Sequence, residues 1–354
     1  MAVVIKGIGA YIPNSIINKE SFRDITFYDE QHKIIPNDFE TIVRKFQSIT
    51  GIEERRYGLE NQQASDLGTL AALEAIKDAK INKEILDGII VAHNFGDIPF
   101  GKVQTDILPS LAARIKHNLE IENPNCIAFD LLYGCPGWIQ GVITARQYIL
   151  SREGKNYLVI GCEMLSRVLD PHDRDSMIYA DGAGAAVISY DEFAENGILS
   201  TASQSYTLDE AYFLFYGSSN NPVYKPENRY IKMHGRKIYE FASKFVPQAM
   251  KHCLDKSGYS IDDVKKVFIH QANEKMDHAI IGRFYQLFGK STVPENIMPM
   301  SIHKLGNSSV ATVPTLLNTV WKGYQEEHQL CKGDIIILAS VGAGMNINAI
   351  TYKV

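Results

Sequence analysis

Short apolar runs alternate with helical patterns along most of this chain. Val3–Ile8 reads as a strand closed off by Gly7, Gly9 and Pro13. A polar, helix-prone stretch runs to about Gln47, and Ala64–Ala79 predicts an amphipathic helix with Leu67, Leu70, Leu73 and Ile76 on one face. Gly88–Val91 and Tyr157–Ile160 are apolar without alternation, as strands buried on both faces are. Between them, Asn94–Asn123 predicts a loop followed by a helix-like Leu108–Leu119, placed to line a pocket.

The centre of the pattern is Asn125–Leu150. An apolar run, Cys126–Phe129, is broken at Asp130–Gly134 and followed by Cys135-Pro136-Gly137. Behind it Ile139, Val142, Ile143, Tyr148 and Ile149 share one helical face. A proline is favoured just inside a helix, where its missing N–H costs nothing. Cys135 therefore falls at or next to a helix N-terminus, where unpaired N–H groups and the helix dipole favour thiolate. The same N–H groups can hold an oxyanion. A small buried cysteine with no chemistry fits this stretch equally well.

The second half repeats the grammar of the first. A glycine-rich turn, Asp181-Gly182-Ala183-Gly184, feeds a strand, and Glu192–Asn228 is polar and irregular, a seam between halves at 1–191 and 192–354. A long helix, Arg236–Lys256, follows with Ile238, Phe241, Phe245 and Met250 as its stripe. Val264–Ile269 then leads into His270-Gln271-Ala272-Asn273, as Asp87–Val91 leads into Ala92-His93-Asn94. Val341-Gly342-Ala343-Gly344 after Asp334–Leu338 parallels the earlier glycine motif. Alternating strands and helices in two similar halves predict a layered α/β protein built by duplication.

Composition adds little beyond exclusions. The 354 residues are 45% hydrophobic and 22% charged with a formal net charge of −5, and the basic residues form no cluster suited to nucleic acid. No run is long and apolar enough for a membrane span, and the start lacks the features of a signal peptide. Five widely spaced cysteines form no CxxC pair and no zinc spacing, so free thiols in the cytoplasm, with no metal and no bound cofactor, are expected.

Two more residues stand where a strand ends or a helix starts. His270 closes an apolar strand, where a histidine serves packing or a site; Asn307, in Gly306-Asn307-Ser308-Ser309, is a turn or N-cap residue or a site residue. With Cys135 they suit one chemistry. An acyl group on the cysteine needs a carbon nucleophile, which decarboxylation of a malonyl thioester supplies as an enolate. A neutral imidazole and a carboxamide stabilise that charge, and the Gly344 amide can serve the other oxyanion.

These residues, with GIGAYIP, TGIEERR, LDPHDR, DGAGAAV, HQAN and GNSSVATVP, resemble the thiolase-fold condensing enzymes, most closely β-ketoacyl-acyl-carrier-protein synthase III, over nearly the whole chain. The resemblance implies a five-layered αβαβα core, a homodimer, Cys135 as acyl nucleophile, His270 and Asn307 as the decarboxylation pair, and the Cys135 and Gly344 amides as oxyanion hole. Arg174 of LDPHDR matches a family arginine that contacts the nucleotide of coenzyme A, and Lys275 matches the basic residue past HQAN. Thr41 stands where the family carries an adenine-stacking tryptophan, which shifts the expected primer carrier from coenzyme A toward acyl carrier protein. Leu131–Gly134 and Pro136 differ from the small residues of primary initiation, and similarity to ketosynthases that join two β-ketoacyl chains into dialkylresorcinol-type lipids is the alternative within the class. A thiolase would need a second cysteine in the GAGM segment; a hydroxymethylglutaryl-type enzyme would need a glutamate, for which Glu163 is not obviously placed. From another class, a non-catalytic acyl-binding partner subunit would be expected to lose one of the three residues.

Overall fold

The computed structural model describes residues 2–354. The first half runs β1 (Ala2–Tyr11), β2 (Ser15–Asn18), α1 (Phe39–Thr50), β3 (Glu54–Tyr57), α2 (Ala64–Ala79), β4 (Gly88–Ala92), α3 (Leu111–Asn118), β5 (Ile127–Leu131), α4 (Gly137–Leu150), β6 (Asn156–Met164) and β7 (Asp181–Asp191). The second runs β8 (Gly197–Ser205), β9 (Leu214–Gly217), β10 (Tyr230–Met233), α5 (Gly235–Ser257), β11 (Val264–Ile269), α6 (Glu274–Gln286), α7 (Ile302–Leu305), α8 (Thr312–Trp321), β12 (Ile335–Gly342) and β13 (Asn346–Lys353).

Two sheets carry the duplication. One has the order β1-β7-β6-β4-β5, the other β8-β13-β12-β11. In each, the outer hairpin-like pairs are antiparallel, and β4 beside β6 is parallel just as β11 is beside β12. Five layers result. On one side α2 and α3 cover the first sheet through Leu67, Ala71, Ala75, Leu111 and Ile115. Between the sheets, α4 (Ile139, Val142, Ile143) and α8 (Val313, Leu316, Leu317) share one core with Ile90, Val159, Phe268 and Leu338. Outside the second sheet lie α5 and α6, through Val246, Met250, Ile280 and Phe284. The chain is an α/β protein with the thiolase-like αβαβα architecture, and among the described residues no helix is long and apolar enough to cross a membrane.

Three expectations need correction. In α2, Leu70 and Leu73 are exposed, and the buried face is Ala64, Leu67, Gly68, Ala71, Ala72, Ala75 and Ala79. Residues three apart drift around a helix by about 60° per step, so the four apolar residues cannot share a face. The contact is small on purpose: a Cβ at Gly7 of β1 would stand 2.2 Å from the Ala79 nitrogen. In the segment 192–228, β8 and β9 occur where no strand is expected; β8 takes its order from pairing with β13, because Gly197–Ser205 has little apolar signal of its own. Asp181–Gly184 is no turn but the start of β7, and its Gly184 admits Pro314 of α8, 2.7 Å from a would-be Cβ.

Candidate active site

Cys135 sits two residues ahead of α4, after Gly134 in the left-handed region (φ 66°). That conformation matters because a Cβ on Gly134 would lie 2.7 Å from the Ala343 nitrogen, and one on Gly342 would lie 2.4 Å from the Cys135 nitrogen. The nucleophile turn of the first half is thus pressed against the glycine motif that ends β12 in the second. Gly344 follows with φ 73°, beside the Asn346 side chain.

His270 extends β11 by one residue, its N–H donating to Ala339 O at 2.9 Å. The rest of its motif is anchorage. Buried Gln271 donates to Pro299 O at 2.7 Å and accepts from the N–H groups of Ser301 and Ile302 at 2.9 and 3.1 Å, while Asn273 caps α6 by accepting from Met276 N–H. His93 ends β4 at the corresponding place in the first half, but both its nitrogens are engaged, by Asp130 at 2.9 Å and by the Gly96 N–H at 3.0 Å. His270 Nδ1 has no partner, and burial pushes its pKa down to about 4, so the ring is neutral near pH 7.

Asn307 is stitched to the first half by backbone bonds: its N–H donates to Ile178 O at 3.0 Å, and its carbonyl accepts from Ala180 N–H at 2.8 Å. Gly161 of β6 lets the following turn lie on the sheet, a Cβ there meeting Val310 O at 2.5 Å. The Ser309 N–H donates to Asn307 Oδ1 at 2.8 Å, which leaves Nδ2 free as a donor.

One cavity of about 570 Å³ takes lining from Cys135, His270 and Asn307 together, with Gly342 and Met345 beside them. Its wall is apolar through Ile42, Phe46 and Ile49 of α1, Leu214, Met233 and Ile238, and Lys45, Arg174 and Arg236 also line it. Spacing of i, i+3, i+4 and i+7 turns Ile42, Lys45, Phe46 and Ile49 inward. Thr41 is not in that lining, whereas Lys45 and Ile49 of the same helix are. Lys275 is exposed on the first turn of α6 and is also absent from the lining, as are all of residues 94–123, although Asn94 stands behind Cys135.

Burial pushes the Cys135 thiol up to about 11; the Ser309 hydroxyl, 3.3 Å from Sγ, pulls it back, and Glu163 adds to the rise. The resting nucleophile is therefore a thiol, and burial outweighs the thiolate preference expected of a helix start. Sequence reading passed over Ser309 and Asn94. Asn94 Nδ2 donates to Ser309 Oγ at 3.1 Å and to Glu163 Oε1, and the matching ends of β4 and β11 were the available signal.

A cysteine at a helix start, sharing a cavity with an imidazole and a carboxamide from the other half of a duplicated αβαβα fold, defines the class of thiolase-fold condensing enzymes. Residues 129–207 match the family model for 3-oxoacyl-[acyl-carrier-protein (ACP)] synthase III, and residues 254–354 match its C-terminal counterpart. The chain is 32% identical to the beta-ketoacyl-[acyl-carrier-protein] synthase III of Staphylococcus saprophyticus, covering 100% of this chain and 99% of that one. It is 33% identical to the protein of that name from Clostridium beijerinckii, with 98% of each covered. The crystal structure of 3-oxoacyl-[acyl-carrier-protein] synthase III from Aquifex aeolicus superposes with a TM-score of 0.80 at 27% identity, over 99% of this chain and 100% of that one. The chain belongs to the 3-oxoacyl-[acyl-carrier-protein] synthase III family of condensing enzymes.

Proposed function

We propose that the chain primes a β-ketoacyl chain by acyl transfer and decarboxylative condensation. Cys135 attacks the carbonyl of an acyl thioester, forming the acyl–sulfur bond and releasing the carrier thiol. A malonyl thioester then enters the cavity and loses carbon dioxide. Neutral His270 and the free Nδ2 of Asn307 donate to its thioester oxygen, where the enolate charge develops. The enolate carbon attacks the acyl-cysteine carbonyl, the carbon–carbon bond forms, and the Cys135 sulfur leaves. The backbone amides of Cys135 and Gly344 serve the oxyanion of the acyl carbonyl in this scheme.

The observation that carries the reading is the single cavity lined by Cys135, His270 and Asn307. Acyl carrier protein is the proposed carrier of the extender. With Thr41 in place of an adenine-stacking tryptophan, an acyl-carrier-protein primer is favoured over coenzyme A, Arg174 meets the carrier's phosphate arm, and Lys275 lies outside at the docking face. A cytoplasmic homodimer completes the proposal: β5 is the open edge of the first sheet, with Ile127, Leu132 and Leu108 exposed by 44%, 62% and 87%.

Intact-mass spectrometry after incubation with acyl-coenzyme A and acyl-carrier-protein thioesters tests this, with Cys135→Ala in parallel. The expected result is one acyl adduct, absent from the variant and best from an acyl-carrier-protein donor. Failure of every thioester to modify the wild type would sink the enzyme reading in favour of a non-catalytic partner. Preference for long β-ketoacyl donors would redirect it to the joining of two chains.

A further inference from the structure

Glu163 is a buried carboxyl that the scheme above leaves without a task. It lies on β6, 1% exposed, and burial pushes it up to about 8, with Asn94 pulling it back and Asp181 adding to the rise. Its link to the nucleophile is a run of hydrogen bonds. Glu163 Oε1 accepts from Asn94 Nδ2, Ser309 Oγ accepts from the same Nδ2 at 3.1 Å, and the Ser309 hydroxyl donates to Cys135 Sγ at 3.3 Å.

The direction of each bond matters. With its oxygen accepting from Asn94, the Ser309 hydroxyl has one hydrogen left, and it points to sulfur. Without Asn94 the hydroxyl is free to rotate, and without an acceptor at residue 163 the carboxamide of Asn94 is free to flip. Ser309 itself stands in the left-handed region (φ 54°), a conformation held by its N–H bond to Asn307. One residue therefore orients the decarboxylation donor through its backbone and the nucleophile through its side chain.

We propose that Glu163 and Asn94 are positioning residues that lock the Ser309 hydroxyl as the hydrogen-bond donor to the Cys135 sulfur, so that the thiolate formed on deprotonation is stabilised in place. The assignment rests on Cys135 being the acyl nucleophile. Residue 163 serves as an acceptor and not as a base, because an amide side chain stands between it and the sulfur. An ionised Glu163 opposes the thiolate by repulsion; Cys162 and Asp181 lie near Glu163, and Tyr179 and His270 share the cavity with the sulfur.

The test follows the pH dependence of Cys135 alkylation by iodoacetamide, which reads the thiolate whatever the true acyl donor, alongside the rate of acyl-adduct formation. Ser309→Ala, Asn94→Leu and Glu163→Ala are each expected to slow alkylation near neutral pH by about tenfold and to move its midpoint to higher pH. Glu163→Gln keeps the acceptor and is expected to stay within about threefold of wild type. It serves as the rescue if Glu163→Ala does not fold. Wild-type profiles in folded Asn94→Leu and Glu163→Ala would overturn the proposal. So would a Glu163→Gln protein as impaired as Asn94→Leu, which would make the carboxyl itself the active group. Absence of any acyl adduct on wild type, with the alkylation differences intact, would overturn the enzyme reading alone.

Discussion

The backbone N–H of Ser309 donates to Asn307 Oδ1 at 2.8 Å, so the carboxamide cannot turn its oxygen toward the cavity. An Asn side chain whose two ends are near-equivalent in shape is given a single polarity by one bond to its own loop. Asn307→Asp would keep that bond and present an acceptor where the enolate oxygen needs a donor. Malonyl-thioester decarboxylation is expected to fall by about 10²–10³-fold, the usual cost of one oxyanion donor, while acylation of Cys135 persists. Carbon dioxide release and intact mass, measured on one preparation, separate the two steps.

His270 gives a pH signature. Its pKa is pushed down to about 4 by burial, so the imidazole stays a neutral donor from about pH 5 upward. Decarboxylation in Cys135→Ala should be flat across about pH 5.5–8, with any change attributable to His270 confined to the approach to about pH 4. The stability linkage has the same sign. The unfolded ring takes a proton below about pH 6.5 and the folded one only near 4, so its contribution is present above 6.5 and lost as the pH falls. A thermal-melt series of wild type against His270→Gln would detect it as a shallower acid limb in the variant.

Gly134 and Gly342 hold the two halves of the site together at van der Waals distance. Gly134→Ala adds a methyl carbon 2.7 Å from the Ala343 nitrogen on a backbone at φ 66°. Gly342→Ala meets the Cys135 nitrogen at 2.4 Å. For Gly134→Ala the left-handed penalty alone is about 1–2 kcal/mol and the contact adds to it, whereas Gly342 is extended (φ −170°) and carries the contact only. Both variants should melt several degrees lower and lose acylation out of proportion to the stability change, because the displaced group is the nucleophile turn. Melting temperature and adduct rate on the same samples check this.

Asp277 on α6 is fully buried, and neither carboxyl oxygen has a hydrogen-bond partner. Burial raises its pKa well above the usual carboxylate range, with Glu274 contributing. A carboxyl protonated in the fold and ionised in the unfolded chain favours folding below its ordinary pKa. That contribution is lost as the pH rises through the folded value. Asp277→Asn removes the ionisation, so its stability relative to wild type should be higher near neutral pH than near pH 4, read from denaturant midpoints at the two pH values.

Sequence alone determined the elements with strong local signatures and singled out three residues that line one cavity. Apolar runs announced β4, β6, β11 and β12, and a proline one residue behind Cys135 announced the helix start, because strand burial and N-terminal chemistry are written within a few positions. The halves of the duplication were legible because like strands end in like motifs, His93 in one and His270 in the other. Tertiary structure decided what those motifs do. His93 is bound at both nitrogens and His270 is not, a difference made by Asp130 and Gly96, which no spacing reveals. The inward face of α2 was set by how closely β1 approaches, and β8 by its partner β13. Even the state of the nucleophile was decided there: the helix start favours thiolate, but burial against parts of the chain as distant as Gly342 holds the sulfur as a thiol. Local chemistry names the groups, while desolvation and hydrogen-bond direction depend on neighbours that only folding brings together.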